Sequence, residues 1–206
     1  EIVLSAESSV EVGSCPNERV VTNVWTVVDE CGNSNSHTQV VTVIDQTPPV
    51  FLVQMPNDTI LSCEDYDPNS FILSTSQVSD NCSSSSDISI SKVSDLVVGS
   101  CANERTVTNL WTIEDECGNT ANHTQVIIIV DTIAPVIQLN APSNITVECG
   151  FSLDPVSIGQ ATATDNCSST GNIQLTFSDE ITPGCGSSGT INRVWLAVDE
   201  CVNTST

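Results

Sequence analysis

The sequence predicts an all-β chain: tandem beads, each a two-sheet antiparallel β-sandwich, stapled by disulfides. Three observations carry this. A Trp is followed six residues later by a Cys three times, as Trp25-Thr-Val-Val-Asp-Glu-Cys31, Trp111-Thr-Ile-Glu-Asp-Glu-Cys117 and Trp195-Leu-Ala-Val-Asp-Glu-Cys201. The first two Trp are 86 residues apart and the second two 84. Such a period is too long for a solenoid turn and fits one small domain per copy. Short apolar runs separated by turn signals recur about every ten residues, with no helical periodicity. Finally, there are ten Cys and one Met, which points to an oxidising compartment. The period divides the chain into the trailing half of a repeat (1–45), a complete repeat (46–131) and a repeat lacking its last strand (132–206). Both ends are expected to be cuts in a longer or processed polypeptide.

The complete repeat justifies the strands in order. Asp45-Gln-Thr-Pro-Pro-Val-Phe51 is an extended entry stiffened by paired prolines. Asn57 to Cys63 reads as a short strand. A polar turn over 64–69 leads to Phe71-Ile-Leu and then to Val78-Ser-Asp-Asn-Cys82. Ser83 to Ser86 is a loop, and Ile88 to Val93 alternates as a half-buried strand does. After Gly99-Ser-Cys101 comes the strongest strand, Arg105 to Asp115; Gly118-Asn119 turns the chain into a closing strand, Thr124 to Val130. About seven strands per bead give the sandwich. On the main strand, period two puts Arg105, Val107, Asn109, Trp111 and Ile113 on one side. Burying an indole removes more apolar surface than burying threonines, so this is the core face. Trp25 and Trp195 are expected in the cores of their own repeats. Arg19, Arg105 and Arg193 fall on the same side, where an Arg stacks at the core edge or pairs with an acidic loop.

Charge narrows the function classes. Against 26 acidic residues stand four basic ones, a formal net charge of -22. Such a polyanion repels nucleic acid and anionic membrane surfaces and attracts cations. No apolar run approaches the ~18 residues of a membrane span. The two histidines, His37 and His123, hold the same place in successive repeats and read as surface positions. No Gly-x-Ser-x-Gly, His-Glu-x-x-His or phosphate-cradling loop accompanies them, so no enzyme is expected.

Four Cys recur per repeat: 63, 82, 101 and 117 in the second, and 149, 167, 185 and 201 in the third. The leading half carries only Cys15 and Cys31, which match the third and fourth positions. If no thiol is left unpaired there, third bonds to fourth: Cys15–Cys31, Cys101–Cys117 and Cys185–Cys201, leaving Cys63–Cys82 and Cys149–Cys167. Four Cys allow three pairings per repeat, and spacing alone does not choose among them.

The third repeat runs Asp131-Thr-Ile-Ala-Pro135, Pro142-Ser-Asn-Ile-Thr-Val-Glu-Cys149, Asp165-Asn-Cys167 and Trp195-Leu-Ala-Val-Asp199. In this order the motifs resemble the hyalin-repeat (HYR) family and the HYR-like repeats of long secreted adhesins, over essentially the whole chain. The resemblance implies immunoglobulin-like sandwiches in extracellular, adhesive or structural proteins. Two features depart from it: Trp stands where the family usually has Tyr, and four Cys per repeat occupy other places than its usual pair. Val202 also replaces the glycine of the last turn.

Acidic residues recur where strands end, at Asp29-Glu30, Asp115-Glu116 and Asp199-Glu200, at the junctions Asp45 and Asp131, and at Asp80 and Asp165 before Asn-Cys. Calcium takes several oxygen ligands, and Asp45, Asp80, Asp115, Asp131 and Asp165 are its candidate ligands. A solvated acidic surface is the alternative, since no Asp-x-Asp-x-Asp-Gly loop occurs. Six Asn head Asn-x-Ser/Thr sequons; Asn57 and Asn144, at matching positions, and Asn122 are the expected glycan sites. The expected function is a non-enzymatic extracellular stalk or filament whose partner is itself. Head-to-tail beads would be completed by Glu1 to Val12 donated between subunits, or would follow one another in one long chain. The alternative is an adhesin segment that grips a surface glycan or protein through its loops, for which exposed Trp would speak.

Overall fold

The structure, a computed structural model, describes residues 1–101, 103–138 and 144–206. Pro142 and Ser143 of the Pro-x-x-Ile-Thr-Val motif lie outside the described residues. The chain is all-β. Its strands in order are β1 (Val3–Val12), β2 (Arg19–Val28), β3 (Ser34–Val43), β4 (Val50–Phe51), β5 (Thr59–Ser62), β6 (Val78–Ser79), β7 (Ser89–Val98), β8 (Arg105–Glu114), β9 (Thr120–Val130), β10 (Val136–Gln138), β11 (Thr162–Thr164), β12 (Gln174–Pro183), β13 (Gly189–Val198) and β14 (Thr204–Ser205). Among the described residues the helical pieces are a 3-10 turn at Thr75–Gln77 and one short helix, α1 (Pro155–Ile158). Among the described residues no helix is long and apolar enough to cross a membrane.

Each repeat contributes one three-stranded meander: β1-β2-β3, β7-β8-β9 and β12-β13-β14. A two-stranded pair accompanies the second and third, β4 with β6 and β10 with β11. β5 extends the second meander through β9 and runs parallel to it, with Thr59 opposite Ile127 and Ser62 opposite Val130. That parallel pairing differs from the wholly antiparallel expectation. It starts where the Asp58 carboxylate accepts the Val126 N–H at 2.7 Å, and it lets Leu61 pack with Ile129. Phe71-Ile-Leu, expected in the strand pattern, is irregular.

The chain divides into two compact units, one of residues 1–57, 69–94 and 109–125, the other of 58–68, 95–108 and 126–206. These units cut across the sequence repeats 1–45, 46–131 and 132–206. In the first unit Val78, Ile88 and Ile113 form the core, with Phe51, Leu73, Ile90 and Ala121 against it. In the second, Val107, Ile127 and Ile129 gather Leu61, Cys63 and Tyr66. Alternation along β8 follows the expected face: Val107, Asn109, Trp111 and Ile113 are all buried. Trp111 is 2 % exposed, with Phe71 edge-on at 5.7 Å and His123 at 5.9 Å. Trp25 and Trp195 are only half-buried, a correction to their assignment as core. Their strands supply one neighbour each, His37 stacked on Trp25 at 6.1 Å and Phe177 tilted on Trp195 at 5.2 Å, without the covering cluster that Trp111 has.

Buried polar groups on β8 are matched across strands. Asn109 accepts from the Ser94 hydroxyl at 2.7 Å and donates to Gln125 at 3.2 Å, and Gln125 donates to the Asn57 carbonyl at 2.9 Å. The first repeat repeats the row as Ser8, Asn23 and Gln39. In the third repeat Arg193 takes the Asn place. It forks onto both oxygens of Asp179 at 2.7 and 2.8 Å, donates to the Leu153 carbonyl and lies 4.1 Å over the Phe177 ring. Arg105 stacks on Tyr66 at 5.5 Å, while Arg19 is exposed. Glu1 to Val12, expected as a donated strand, is β1, paired residue for residue with β2 from Val3–Val28 to Val12–Arg19.

The disulfides do not follow the expected pairing. Cys15 bonds to Cys117, Cys63 to Cys167 and Cys101 to Cys201, with Cα–Cα distances of 5.1, 5.9 and 5.1 Å. Cys31, Cys82, Cys149 and Cys185 are free and exposed. The pairs Cys15–Cys31, Cys101–Cys117, Cys185–Cys201, Cys63–Cys82 and Cys149–Cys167 are therefore corrected. The third and fourth Cys of one repeat sit at opposite ends of its Trp strand, as Cys101 and Cys117 do on either side of the ten-residue β8. Ten extended residues span roughly 33 Å, and two Cys that far apart cannot be bridged. Every observed bond instead joins one repeat to the next across 100 to 104 residues. Three disulfides place the chain in an oxidising environment.

The turn after the Trp strand needs a left-handed residue, which Gly32 (φ 85°) and Gly118 (φ 83°) supply and Val202 (φ 71°) does not do freely. A β-branched residue there is strained by about 1–2 kcal/mol. Since Val202 is 75 % exposed, Val202→Gly loses little packing. It is expected to stabilise the protein by about 1 kcal/mol, raising Tm by roughly 2–4 °C in a thermal melt.

Candidate metal centres

Each cage of carboxylates grows from three pieces of sequence. The first is the loop at the end of each Trp strand, Asp-Glu-Cys-Gly-Asn in the first two repeats and Asp-Glu-Cys-Val-Asn in the third. Asp115 Oδ1 accepts the N–H groups of Cys117 and Asn119 at 2.8 and 2.9 Å, and Oδ2 accepts the Asn119 amide at 2.8 Å. Asp199 repeats this with Cys201 and Asn203, and Asp29 with Cys31 and Asn33. At Asp29 the Asn33 amide and N–H hold the carboxyl below its ordinary range. The same Asn reaches onward: Asn119 donates to the Asp45 carbonyl at 3.3 Å and Asn203 to the Asp131 carbonyl at 3.2 Å. Side chain and carbonyl together tie the loop to the junction preceding its own repeat.

The second piece is that junction and the third is Asp-Asn-Cys. β4 pairs Val50 with Ser79 and β10 pairs Val136 with Thr164, so the proline entry lies beside the strand that ends at Asp80 or Asp165. Pro49 and Pro135 are fully buried and fix the approach. Asp80 Oδ1 accepts Cys82 and Ser83 N–H, both at 2.8 Å; Asp165 Oδ1 accepts Cys167 and Ser168 at 2.9 and 2.7 Å. Burial works to raise the Asp80 carboxyl, but the N–H groups of Ser83, Cys82 and Asn81 outweigh it and hold it below its ordinary value.

In the second unit the outcome is Asp131, Asp165 and Asp199 with carboxylate oxygens all within 4.8 Å of one another. In the first, Asp45 and Asp115 meet at the same spacing beside Cys117. The Cys117 sulfur is in a disulfide and makes a poor ligand, so oxygen chemistry defines this site too. Asp80 is the repeat equivalent of Asp165, and the Cys82 thiol is pushed up by desolvation and then by the charges of Asp45, Asp80 and Asp115. Asp45 and Asp131 are 6 % and 4 % exposed, and Oδ2 of each has no hydrogen-bond partner; Oδ2 of Asp80 and of Asp165 is likewise buried and unpartnered. Unpaired buried carboxylates are costly unless protonated or set against a cation. Oxygens of three carboxylates plus loop groups are what a hard divalent ion takes.

The sequence marked Asp45, Asp80, Asp115, Asp131 and Asp165; the structure groups Asp45 with Asp115 and Asp131 with Asp165, and leaves Asp80 outside both groups. Asp199 completes the second group; its match to Asp115, 84 residues on, was the available signal. The expected glycan acceptors Asn57, Asn122 and Asn144 are all exposed, whereas the Asn203 amide is engaged by Asp131 and Asp199. Trp111 is buried and Trp25 and Trp195 are half-buried, so none of the three is an exposed aromatic platform. His37 lies on exposed β3. His123, read as a surface position, is half-buried on β9, packs on Trp111 and reaches the Pro56 carbonyl at 2.9 Å. The cross-strand neighbour of the Trp was the missed clue.

Asp131 gives a pH dependence with a definite sign. Desolvation, followed by the charges of Asp165, Asp199 and Glu104, raises its carboxyl above 3.8. The fold therefore favours the protonated form. The stability this group contributes is present below the unfolded value and lost as pH rises through the folded one. In chelator, Asp131→Asn is expected to flatten that loss and to melt higher than the parent at pH 7, because Asn keeps the acceptor for the Ile133 N–H and removes a repelled charge. Melting curves from pH 4 to 7 check it.

No protein-family model matches the chain, and no curated protein matches it. The hyalin-repeat resemblance rests on the quoted motifs.

Proposed function

We propose that this chain is a non-enzymatic, extracellular structural repeat protein that forms a stalk or filament of immunoglobulin-like beads. The observation that carries the reading is the placement of the disulfides: all three join successive repeats, none closes a repeat on itself. Bonds so placed pass tension from bead to bead and resist unravelling; each closes a loop of about 100 residues, worth about 4.7 kcal/mol in the chain-entropy model. A catalytic protein gains little from that arrangement, whereas a tether gains mechanical continuity.

Within this reading, calcium at Asp45/Asp80/Asp115 and at Asp131/Asp165/Asp199 locks each proline junction to the end of its Trp strand. It also offsets part of the -22 charge, and millimolar extracellular calcium suits sites of modest affinity. Asn57, Asn122 and Asn144 would carry glycan on exposed faces. Electron microscopy of the native material, with calcium and with chelator, tests the proposal. Uniform filaments with bead-scale axial repeat in calcium, losing straightness in chelator, are expected; dispersed particles of single-chain size in both conditions contradict it.

A further inference from the structure

The second unit holds two disulfides and one cage of aspartates, and the same stretches of chain build both. Cys63, Cys101, Cys167 and Cys201 belong to that unit, as do Asp131, Asp165 and Asp199. The Asp165 carboxylate accepts the Cys167 N–H at 2.9 Å, and the Asp199 carboxylate accepts that of Cys201 at 2.8 Å. Each disulfide therefore has one Cys pinned by a cage aspartate. The other two Cys stand near the third. Cys63 follows Ser62, which lies opposite Val130 in the parallel β5–β9 pair, and Asp131 follows Val130. Cys101 sits on a tip turn, its carbonyl accepting the Glu104 N–H at 3.1 Å, and the Glu104 charge bears on Asp131. We propose that cation occupancy of the Asp131–Asp165–Asp199 cage and the integrity of Cys63–Cys167 and Cys101–Cys201 are linked, so that a bound cation protects both bonds from thiol reductants and their reduction releases it. This rests on the calcium reading of that cage.

The cage is more than a group of acidic side chains. Asp131 is buried and its Oδ2 has no hydrogen-bond partner; Oδ2 of Asp165 and Oδ1 of Asn166 are likewise buried and unpartnered. Asn166 also touches the disulfide directly. Its Nδ2 donates to the Cys167 sulfur at 3.0 Å and to the Cys63 sulfur at 3.8 Å. Adjacent residues thus carry oxygens that suit a hard cation and a nitrogen seated on the disulfide.

Carboxylate repulsion supplies the physical link. Oxygens of the three aspartates lie within 4.8 Å of one another. Without a counter-charge they push apart, and the turns that hold Cys167 and Cys201 move with Asp165 and Asp199. A reduced pair re-forms only when its sulfurs meet again, with Cα atoms back at 5.9 Å for Cys63–Cys167 and 5.1 Å for Cys101–Cys201. Turns held by a cation keep the effective concentration of one thiol at the other high, which favours the closed bond. By reciprocity, opening a disulfide weakens the cation site by the same factor.

The redox step balances as an exchange. Two glutathione thiols give two electrons and two protons to one protein disulfide; its S–S bond breaks, two Cys thiols form, and one S–S bond forms in oxidised glutathione.

For the test, the exposed thiols Cys31, Cys82, Cys149 and Cys185 are first capped by alkylation. The chain is then equilibrated in reduced and oxidised glutathione, with calcium or with chelator. New thiols are alkylated with a heavier reagent, and each Cys peptide is quantified by mass spectrometry. Calcium is expected to lower the reduced fraction of Cys63–Cys167 and of Cys101–Cys201, relative to the oxidised, by about fivefold or more. Asp131→Asn should remove that protection from both. Its carboxylate accepts the Ile133 N–H and neither of the Cys N–H groups, so the substitution reaches the disulfides through the cage. Cys15–Cys117, which lies in the first unit, should respond to calcium in Asp131→Asn as it does in the parent. Reciprocally, calorimetric titration of the double variant Cys101→Ser, Cys201→Ser should show calcium held about fivefold more weakly than by the parent.

Calcium uptake by the parent with unchanged disulfide ratios overturns the linkage and leaves the calcium reading standing. Protection of the two bonds that survives in Asp131→Asn also overturns it, because the cage is then not the source. A parent that takes up no calcium, or no more than Asp131→Asn does, overturns the calcium reading of this cage and the linkage with it.

Discussion

The bond from a hairpin tip to the next repeat's Asp-Glu-Cys-Gly-Asn loop organises much of what surrounds it. A disulfide demands Cα atoms about 5–6 Å apart, so Cys15 meeting Cys117 requires the tip of the first meander to reach the far end of β8. That loop is shaped by Asp115 gathering the N–H groups of Cys117 and Asn119. Asn119 in turn binds the Asp45 carbonyl, so the loop that receives the staple also positions the junction aspartate. Covalent link and acidic cage are built on one five-residue motif, and the motif recurs around Asp199 and Cys201.

This coupling gives the concentrated charge a structural reading. Buried carboxylates without partners cost stability in a chain already rich in negative charge. Asp45 and Asp131 are nonetheless buried, each with one oxygen unpartnered, at equivalent points in two repeats. Recurrence at that spacing argues that the cost is offset by something common to both, and a hard divalent cation has the required chemistry.

Much of the strand pattern was legible because alternation is local. β8 buries the residues that period two selects, and Trp111 reads as core because an indole outweighs threonines. Trp25 and Trp195 carry the same local pattern but end half-buried, since Trp111 gains an edge-on contact from Phe71, outside its own meander, and a repeat motif does not encode its tertiary neighbours. The cage aspartates were individually visible at strand ends. Their grouping was not, because it depends on β4 lying beside β6 and β10 beside β11, contacts 24 to 29 residues apart in sequence. The disulfide map was the least legible. Four Cys per repeat fit several pairings equally well, and assuming closure within a repeat ignored that β8 holds Cys101 and Cys117 at its two ends.

A disulfide map of the native protein tests the account most directly. Digestion without reduction, followed by mass spectrometry of the linked peptides, should recover Cys15–Cys117, Cys63–Cys167 and Cys101–Cys201. Finding Cys101–Cys117 and Cys63–Cys82 instead would close each repeat on itself and contradict the inter-repeat staple on which the cages, the junctions and the proposed filament depend.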